Sequence, residues 1–291
     1  MGDMDLAFYK LHSTGGDYLL SNFIHGPDPQ MDFFPELARV ICKRRTGVGA
    51  NGLLAMTRGV EHSIRLHYFP ARLEDTRKIP GDALACAGRY AFNLGLAQNA
   101  QISAESDFGV VTIEVIDSTN FRVDLGTPTH PETGEEISPA ASTDIIETAR
   151  AAGRRQPFAP IALGRKHAVV TTERSPKAIR QLAKLLSESG DLSDYQPVFM
   201  RSISHEECTG YCWATNSTPD HAESMGACAV VGILHGFCDN EVTVRFRSYL
   251  LHAQWQRSDG RLYVTAPTEY ICSGSFSVED DVLERMSRMM N

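Results

Sequence analysis

Two short stretches decide the fold: LACAGRYAFNLG, residues 84–95, and AESMGACAVVG, residues 222–232. Both are rich in small and apolar residues, as a buried helix requires, and each carries one side chain that can move protons, Cys86 or Glu223. A helix start offers unpaired backbone N–H groups and the positive end of the helix dipole, so it favours a bound carboxylate. The same field lowers the pKa of a thiol, so Cys86 is predicted to be a thiolate base.

The segments around these stretches repeat one order of elements. In the first half, periodicity predicts strands near 6–11, 18–23, 52–56, 63–69, 101–106, 109–116 and 119–125, and helices at 35–43 and about 87–98. In the second half it predicts strands near 167–172, 198–203, 210–214, 241–248, 250–256 and 261–265, and helices at 176–187 and from the stretch at 221–232. Ser175 and Gly190 are predicted to cap and end the helix at 176–187. The repeat predicts two homologous lobes that face each other.

Composition excludes several classes of function. The chain has 291 residues and a net charge of −8, which argues against nucleic acid as a partner. We find no apolar run long enough for a membrane span and no signal-peptide pattern near the start, so we expect a cytoplasmic protein without a membrane partner. Seven cysteines without a framework spacing predict free thiols. Cys208 and Cys212 lack a second ligand pair, so no metal site is predicted.

Five segments carry a resemblance that spans nearly the whole chain: FYKLHSTGGDYLLSNF (8–23), ELARVICKRRTGVGANGLL (36–54), LGRKHAVV (163–170), GACA (226–229) and VTAPTEYICSG (264–274). At these residues the chain resembles the diaminopimelate epimerase and proline racemase superfamily, especially its diaminopimelate epimerase branch. The resemblance implies an α/β (α+β) fold of two pseudo-symmetric lobes, each a mixed sheet wrapped around a central helix. We expect the N-terminal lobe at 1–128, with 266–291 returning to it, and the C-terminal lobe at 129–265.

The resemblance also implies an active site without a cofactor, in the cleft between the lobes. There, two acid/base groups remove and return the proton next to a substrate carboxylate. In the epimerases both groups are cysteines. Here the first is kept as Cys86, whereas an ungapped count back from GACA puts the second on Glu223, with Asp220 and His221 as neighbouring alternatives. An insertion at 69–82 is expected to reshape or cover the site.

The predicted substrate-binding residues follow the two catalytic candidates or replace residues that grip substrate in the family: Ala87, Gly88, Arg89, Ser224, Met225, Arg165, His167, Gly16 and Gln196. The family's asparagines fall on Gly16, Arg165 and Gln196, and its Glu-Arg pair falls on Ala214 and Thr215. Losing a buried Arg and its partners would leave the far carboxylate of diaminopimelate without compensation for its desolvation. We therefore expect another small-molecule carboxylate as substrate.

The change of one base favours a particular reaction. A thiol and a carboxylate normally differ by about four pKa units, which suits a directional double-bond shift better than the interconversion of near-equal enantiomers. The pattern of losses favours secondary metabolism, such as an isomerase of 4-alkylproline precursors in antibiotic biosynthesis. Two alternatives stay open: an amino acid epimerase or racemase with a substrate other than diaminopimelate, and a non-catalytic paralogue that binds a small carboxylate. Glu223 as a mere dipole-stabilising residue, His167 as a core residue, and a homodimer also stay open.

Overall fold

The computed structural model describes residues 4–27, 29–72, 78–139, 145–151, 153–213 and 221–278. The chain divides into two compact units, the first formed by Met1–Phe121 with Thr268–Asn291 and the second by Arg122–Pro267. The chain passes from one unit to the other within two strands, so the unit boundaries lie inside regular structure rather than in linkers.

The first unit is an eight-stranded barrel with one helix inside it. Its strands follow the order β1-β2-β3-β4-β5-β6-β7-β15, and β15 pairs antiparallel with β1 to close the barrel. Its elements are β1 (Met4–Ser13), β2 (Gly16–Asn22), α1 (Phe34–Ile41), β3 (Gly52–Arg58), β4 (Ile64–Pro70), α2 (Gly81–Asn93), β5 (Gln101–Ser106), β6 (Gly109–Val115), the start of β7 (Asn120–Gly126) and the end of β15 (Leu262–Val278). A short 3₁₀ turn, Met31–Phe33, precedes α1.

The second unit repeats this order of strands and helices after an additional strand, β8. Its strands follow the order β15-β14-β13-β12-β11-β10-β9-β8. Its elements are β8 (Glu147–Ala151), β9 (Arg154–Leu163), β10 (Arg165–Thr171), α3 (Pro176–Ser189), β11 (Gln196–Ser202), β12 (Glu207–Cys212), α4 (His221–Leu234), β13 (Glu241–Phe246), β14 (Tyr249–Trp255), the end of β7 and the start of β15. A bridge between Thr129 and Ala162 links the segment after β7 to β9.

The strand pairings confirm the predicted repeat. In the first unit β1–β2 is antiparallel, β2–β3 is parallel across α1, β3–β4 is antiparallel and β4–β5 is parallel across α2. In the second unit β9–β10, β10–β11, β11–β12 and β12–β13 follow the same alternation, with α3 and α4 as the crossovers. A parallel pair needs a long crossover connection, which explains why each helix lies where it does.

The inner helices α2 and α4 are buried on nearly all sides. In α4, twelve consecutive residues from His221 to Gly232 are buried, as expected for a helix enclosed by a sheet. Glycines allow the close fit: a methyl group added at Gly88 would lie 2.6 Å from Ile113, and one added at Gly226 would lie 2.8 Å from Leu262. The helices α1 and α3 instead bury one face, which identifies them as the outer layer.

Two sequence predictions are wrong in ways that affect the site. The helix expected at 87–98 is α2, which begins six residues earlier at Gly81, with Pro80 at its N-cap. The last residues of the expected insertion at 69–82 therefore form the first turn of this helix. In addition, β9 was not predicted at all. The cap of α3 is confirmed, because the Ala178 N–H donates to Ser175 Oγ over 3.4 Å and Gly190 ends the helix with φ of 77°.

Candidate active site

The first turn of α2 holds a buried carboxyl group. Asp82 is fully buried, and the Thr14 hydroxyl donates a hydrogen bond to its Oδ1 over 2.7 Å. Gly16 lies on the other side of this carboxyl: a methyl group added there would come within 2.9 Å of Asp82 Oδ2. The tip of the β1–β2 hairpin is thus packed onto the first turn of the inner helix. Gly16, predicted to bind substrate, contacts Asp82 and leaves no room for a side chain.

An ion-pair network fixes this hairpin. The Asp17 carboxylate accepts hydrogen bonds from Arg44 at 2.6 and 3.0 Å, and Lys10 Nζ lies 3.1 Å from it. Arg44 also donates to Asn51 Oδ1 over 2.6 Å. Burial alone would raise the pKa of Asp17, but Arg44 and Lys10 together lower it. Asp17 is therefore ionised and paired, which gives it a structural role.

Cys86 does not occupy the helix start. It is the sixth residue of α2, one turn beyond Asp82, and its side chain is fully buried. Burial raises the pKa of its thiol well above the ordinary value, and the charges of Asp82 and Asp17 raise it further. The expectation that the helix dipole lowers this pKa is wrong, because that field falls off within the first turn. The thiol is neutral near pH 7 in this environment.

The residues after Cys86 lie further along the helix. Ala87 is buried, and Gly88 packs against the barrel wall at Ile113 and Phe121. Arg89 is half-buried, with its guanidinium 5.8 Å from the centre of the Tyr270 ring. None of these three predicted substrate-binding residues belongs to the first turn that carries Asp82.

The first turn of α4 holds the second buried carboxyl group. Glu223 is 7% exposed, and Ser224 and Met225 beside it are fully buried. Gly164, at the tip of the β9–β10 hairpin with φ of 67°, lies against it, since a methyl group there would be 3.8 Å from Glu223 Cγ. The alternative His221 is also buried, with its ring 4.8 Å from the Phe246 ring centre. Asp220, Ala214 and Thr215 lie outside the described residues.

Three further predicted residues lie on or beside this hairpin. Arg165 directly follows Gly164 and is half-buried. His167 is fully buried, and burial, with help from the positive charge of Arg165, lowers its pKa to about 3. His167 is therefore a neutral imidazole at physiological pH. It is the register partner of Gln196, whose amide donates to the carbonyls of Pro197 and Trp213.

The ends of the two inner helices establish which residues correspond. Gly95 and Gly236 each follow their helix in the left-handed conformation, with φ of 73° and 70°. Asp82 lies thirteen residues before Gly95, and Glu223 lies thirteen residues before Gly236. The two buried carboxyls therefore occupy the same position of the repeat. The counterpart of Cys86 is Ala227. This corrects the predicted pairing of Cys86 with Glu223, which was counted from the wrong helix start.

Comparisons with known proteins find relatives that match nearly the whole chain. No protein-family profile matches the chain. A diaminopimelate epimerase of Halothermothrix orenii is 25% identical over 95% of this chain and 100% of its own length, and an O-ureido-serine racemase of Streptomyces lavendulae is 26% identical over 93% and 95%. Over nearly its whole length the chain is similar to these two proteins. The relatives catalyse epimerisations and racemisations, and the chain is an isomerase like them.

Solved structures share the fold of this chain. A methylitaconate-delta-isomerase has a TM-score of 0.62 and 10% identity, covering 97% of this chain and 98% of its own. A hydroxyproline epimerase of Agrobacterium vitis has a TM-score of 0.67 and 11% identity, covering 95% and 93%. The predicted fold class is thereby confirmed. Within the described residues, no group of three or more His, Cys, Asp or Glu side chains is arranged to hold a metal ion, and no helix could span a membrane.

Proposed function

We propose that this isomerase moves a proton, and with it a double bond, within a small carboxylate or amino-acid-derived substrate, without a cofactor. The observation that carries the proposal is the buried Glu223 carboxyl in the first turn of α4, against the β9–β10 hairpin tip. A buried carboxyl group is costly for a fold, so its presence in an inner helix favours a chemical role over a structural one.

The type of base favours a double-bond shift. A carboxylate, with an ordinary pKa of about 4, is a weaker base than a thiolate with a pKa of about 8.5. It suits a more acidic C–H bond, such as one whose anion is delocalised over a neighbouring double bond. Ketosteroid isomerase uses an aspartate base for a shift of this kind. The fold is compatible with the same chemistry, since the methylitaconate-delta-isomerase has it as well.

Groups around Glu223 suit the carboxylate end of a substrate. The Ser224 hydroxyl is fully buried and has no hydrogen-bond partner among the described residues. Arg165 lies next to Gly164 at the hairpin tip, and a guanidinium can bind a carboxylate through two parallel hydrogen bonds. We propose an unsaturated ring-bearing carboxylate of secondary metabolism, of the 4-alkylproline precursor type, as the substrate.

Incubation in deuterated water tests the proposal. The probes are methylitaconate, a 4-alkyl pyrroline-2-carboxylate, O-ureido-L-serine, trans-4-hydroxy-L-proline and meso-diaminopimelate. Proton NMR measures the deuterium at each carbon, and ultraviolet absorbance detects a shifted double bond. We expect deuterium at a carbon distant from the original C–H bond and a change of absorbance with an unsaturated probe. Glu223→Gln should lower this rate by at least about 10²-fold, as loss of a general acid or base does. An unaltered rate in this variant would remove Glu223 from the mechanism.

One observation favours a second function. The O-ureido-serine racemase is as similar to this chain as the diaminopimelate epimerases are, so racemisation of an amino acid other than diaminopimelate is the alternative. The same experiment separates the two reactions. Racemisation places deuterium on the α-carbon with inversion and leaves the absorbance unchanged, whereas a double-bond shift labels another carbon.

A further inference from the structure

We propose that Asp82 is the second proton-transfer group of this isomerase, the partner of Glu223, in place of the Cys86 thiol. The proposal rests on the isomerase function proposed above. Its first support is the register of the repeat, in which Asp82 and Glu223 both lie thirteen residues before the glycine that ends an inner helix. Cys86 corresponds to Ala227, which has no side chain able to move a proton.

The surroundings of the two carboxyls correspond as well. Each lies in the first turn of an inner helix, and each is approached by the tip of a hairpin, β1–β2 or β9–β10, that holds the same place in its repeat. At Asp82 the tip supplies Thr14, whose hydroxyl lies 2.7 Å from Oδ1, and Gly16, where an added methyl group would lie 2.9 Å from Oδ2. At Glu223 the tip supplies Gly164. A shared position could come from the fold alone, but a buried carboxyl in both copies has no structural requirement behind it.

An independent observation indicates that a ligand completes both places. Ser224 follows Glu223, and Ser13 precedes Thr14, the residue that donates to Asp82. Both serines are fully buried, and neither hydroxyl has a hydrogen-bond partner among the described residues. A buried hydroxyl without a partner costs about 1–3 kcal/mol, so a native protein seldom keeps one without water or a ligand to satisfy it. One of these hydroxyls belongs to the residue after Glu223, and the other belongs to the residue before the hydrogen-bond donor of Asp82.

A pair of carboxyl groups can carry out the whole proton shift without any other reactant. The group that begins as a carboxylate takes a proton from an sp³ carbon, and the electron pair of the broken C–H bond enters a delocalised anion. The group that begins as a carboxylic acid donates its proton to the far carbon of that anion and becomes a carboxylate. Net charge is unchanged and no electrons are exchanged. Exchange with water restores the starting protonation of both groups.

The test compares Asp82→Asn with Glu223→Gln in deuterated water, using whichever of the five probes the unaltered protein labels fastest. Asparagine keeps the size of aspartate and can still accept the Thr14 hydrogen bond, so the hairpin contact survives. We expect Asp82→Asn to lower net isomerisation by at least about 10²-fold. Each variant should keep deuterium exchange at one carbon only, and the labelled carbon should differ between them. Loss of structure alone would not produce this complementary pattern.

Four further variants complete the design. Cys86→Ala tests the rival assignment and should retain net isomerisation, because its counterpart in the repeat is already alanine. Cys272→Ser, which alters an exposed thiol, is the neutral control. Thr14→Val removes the hydrogen bond to Asp82 and should change the pH profile of the rate, while Thr14→Ser should restore it.

Each outcome decides the question. Full activity in Asp82→Asn, or loss of activity in Cys86→Ala with its circular dichroism unaltered, would overturn the assignment and leave the isomerase function standing. Loss of exchange at both carbons in Asp82→Asn would show that Asp82 is structural and would overturn it as well. If the unaltered protein labels none of the five probes, the isomerase function itself fails, and the assignment of Asp82 fails with it.

Discussion

The β1–β2 and β9–β10 hairpins hold corresponding positions in the two repeats, but different interactions fix them there. The tip of β1–β2 is fixed by ions, because Asp17 is paired with Lys10 and Arg44. The tip of β9–β10 is fixed by burial, since the fully buried His167 is a neutral imidazole in register with Gln196. The repeat thus preserves the position of each tip against its inner helix, while the forces that hold it differ. The two halves should therefore respond differently to acid and to substitution.

The largest difference should appear at low pH and should come from His167. Its folded pKa of about 3 lies below the ordinary 6.5, so the unfolded chain binds a proton first as the pH falls. The neutral ring makes its full contribution to the free energy of unfolding above pH 6.5, and this contribution is lost as the pH falls toward 3. At about 1.4 kcal/mol per pKa unit, the loss amounts to several kcal/mol. Urea unfolding of the parent and of His167→Asn at a series of pH values measures it. Parallel curves for the two proteins would contradict the assigned burial.

The ion pair of the first repeat should give the next largest effect. Asp17→Asn leaves Lys10 and Arg44 without their carboxylate, and we expect a loss of about 2–3 kcal/mol at pH 7, less than for a fully buried pair because Arg44 is partly exposed. The pKa of Asp17 is lowered in the fold, so its contribution is present above the unfolded pKa and is lost as the pH falls below it. The difference between variant and parent should therefore shrink in acid. Glu36→Gln is the matched control, since the Glu36–Arg39 pair lies on the surface of α1 and should change stability by less than about 0.5 kcal/mol.

The sequence predicted the repeat well because buried inner helices and alternating strands leave strong patterns. It misplaced the start of α2, because PGD at 80–82 follows a polar stretch and looks like the end of an insertion. Only the fold shows that Pro80 is an N-cap and that the hairpin tip lies against Asp82, since contacts between distant segments leave no periodicity. The correspondence between Asp82 and Glu223 could be established only from the residues at which the two inner helices end in the structure.

The missed strand β9 has a similar explanation. It contains Pro157 and Pro160, and proline within a run normally argues against a strand because it lacks an N–H donor. In the structure, Ala162 exchanges hydrogen bonds with Thr129 on one edge of β9. Pro160, two residues earlier, points its nitrogen to the same edge and away from β10, so the ladder to β10 loses no bond. Edge geometry, which the sequence does not display, permits this proline.

The inner helices can be compared through their wall-facing glycines. A methyl group at Gly88 would lie 2.6 Å from Ile113 Cγ2, whereas one at Gly226 would lie 2.8 Å from Leu262 Cδ2. The isoleucine atom is attached to a β-branched carbon and can move little, while the leucine methyl lies at the end of a longer side chain. Overpacking costs about 1–3 kcal/mol, and replacing glycine by alanine in a helix returns up to about 1 kcal/mol. We expect Gly88→Ala to destabilise by about 1–2 kcal/mol and Gly226→Ala by less, measured by thermal unfolding. An equal loss of stability at both sites would mean that Ile113 and Leu262 move aside for the added methyl group to the same extent.

The smallest expected effect concerns the outer helices, which differ at their starts. In α3 the Ser175 side chain accepts the Ala178 N–H, whereas α1 has no side-chain cap and follows a 3₁₀ turn directly. Ser175→Ala should therefore cost about 1 kcal/mol, because one N–H group of the first turn loses its acceptor. Ser175→Asp should restore the cap and add a favourable interaction with the helix dipole.

Phe33→Ser, at the N-cap position of α1, is the matched comparison, because Phe33 has helical rather than extended backbone angles there. A serine in that conformation is not placed to accept the first-turn N–H groups, so it should not stabilise α1. A gain of stability at Phe33 would show that chemistry at the cap outweighs the backbone conformation that the 3₁₀ turn imposes.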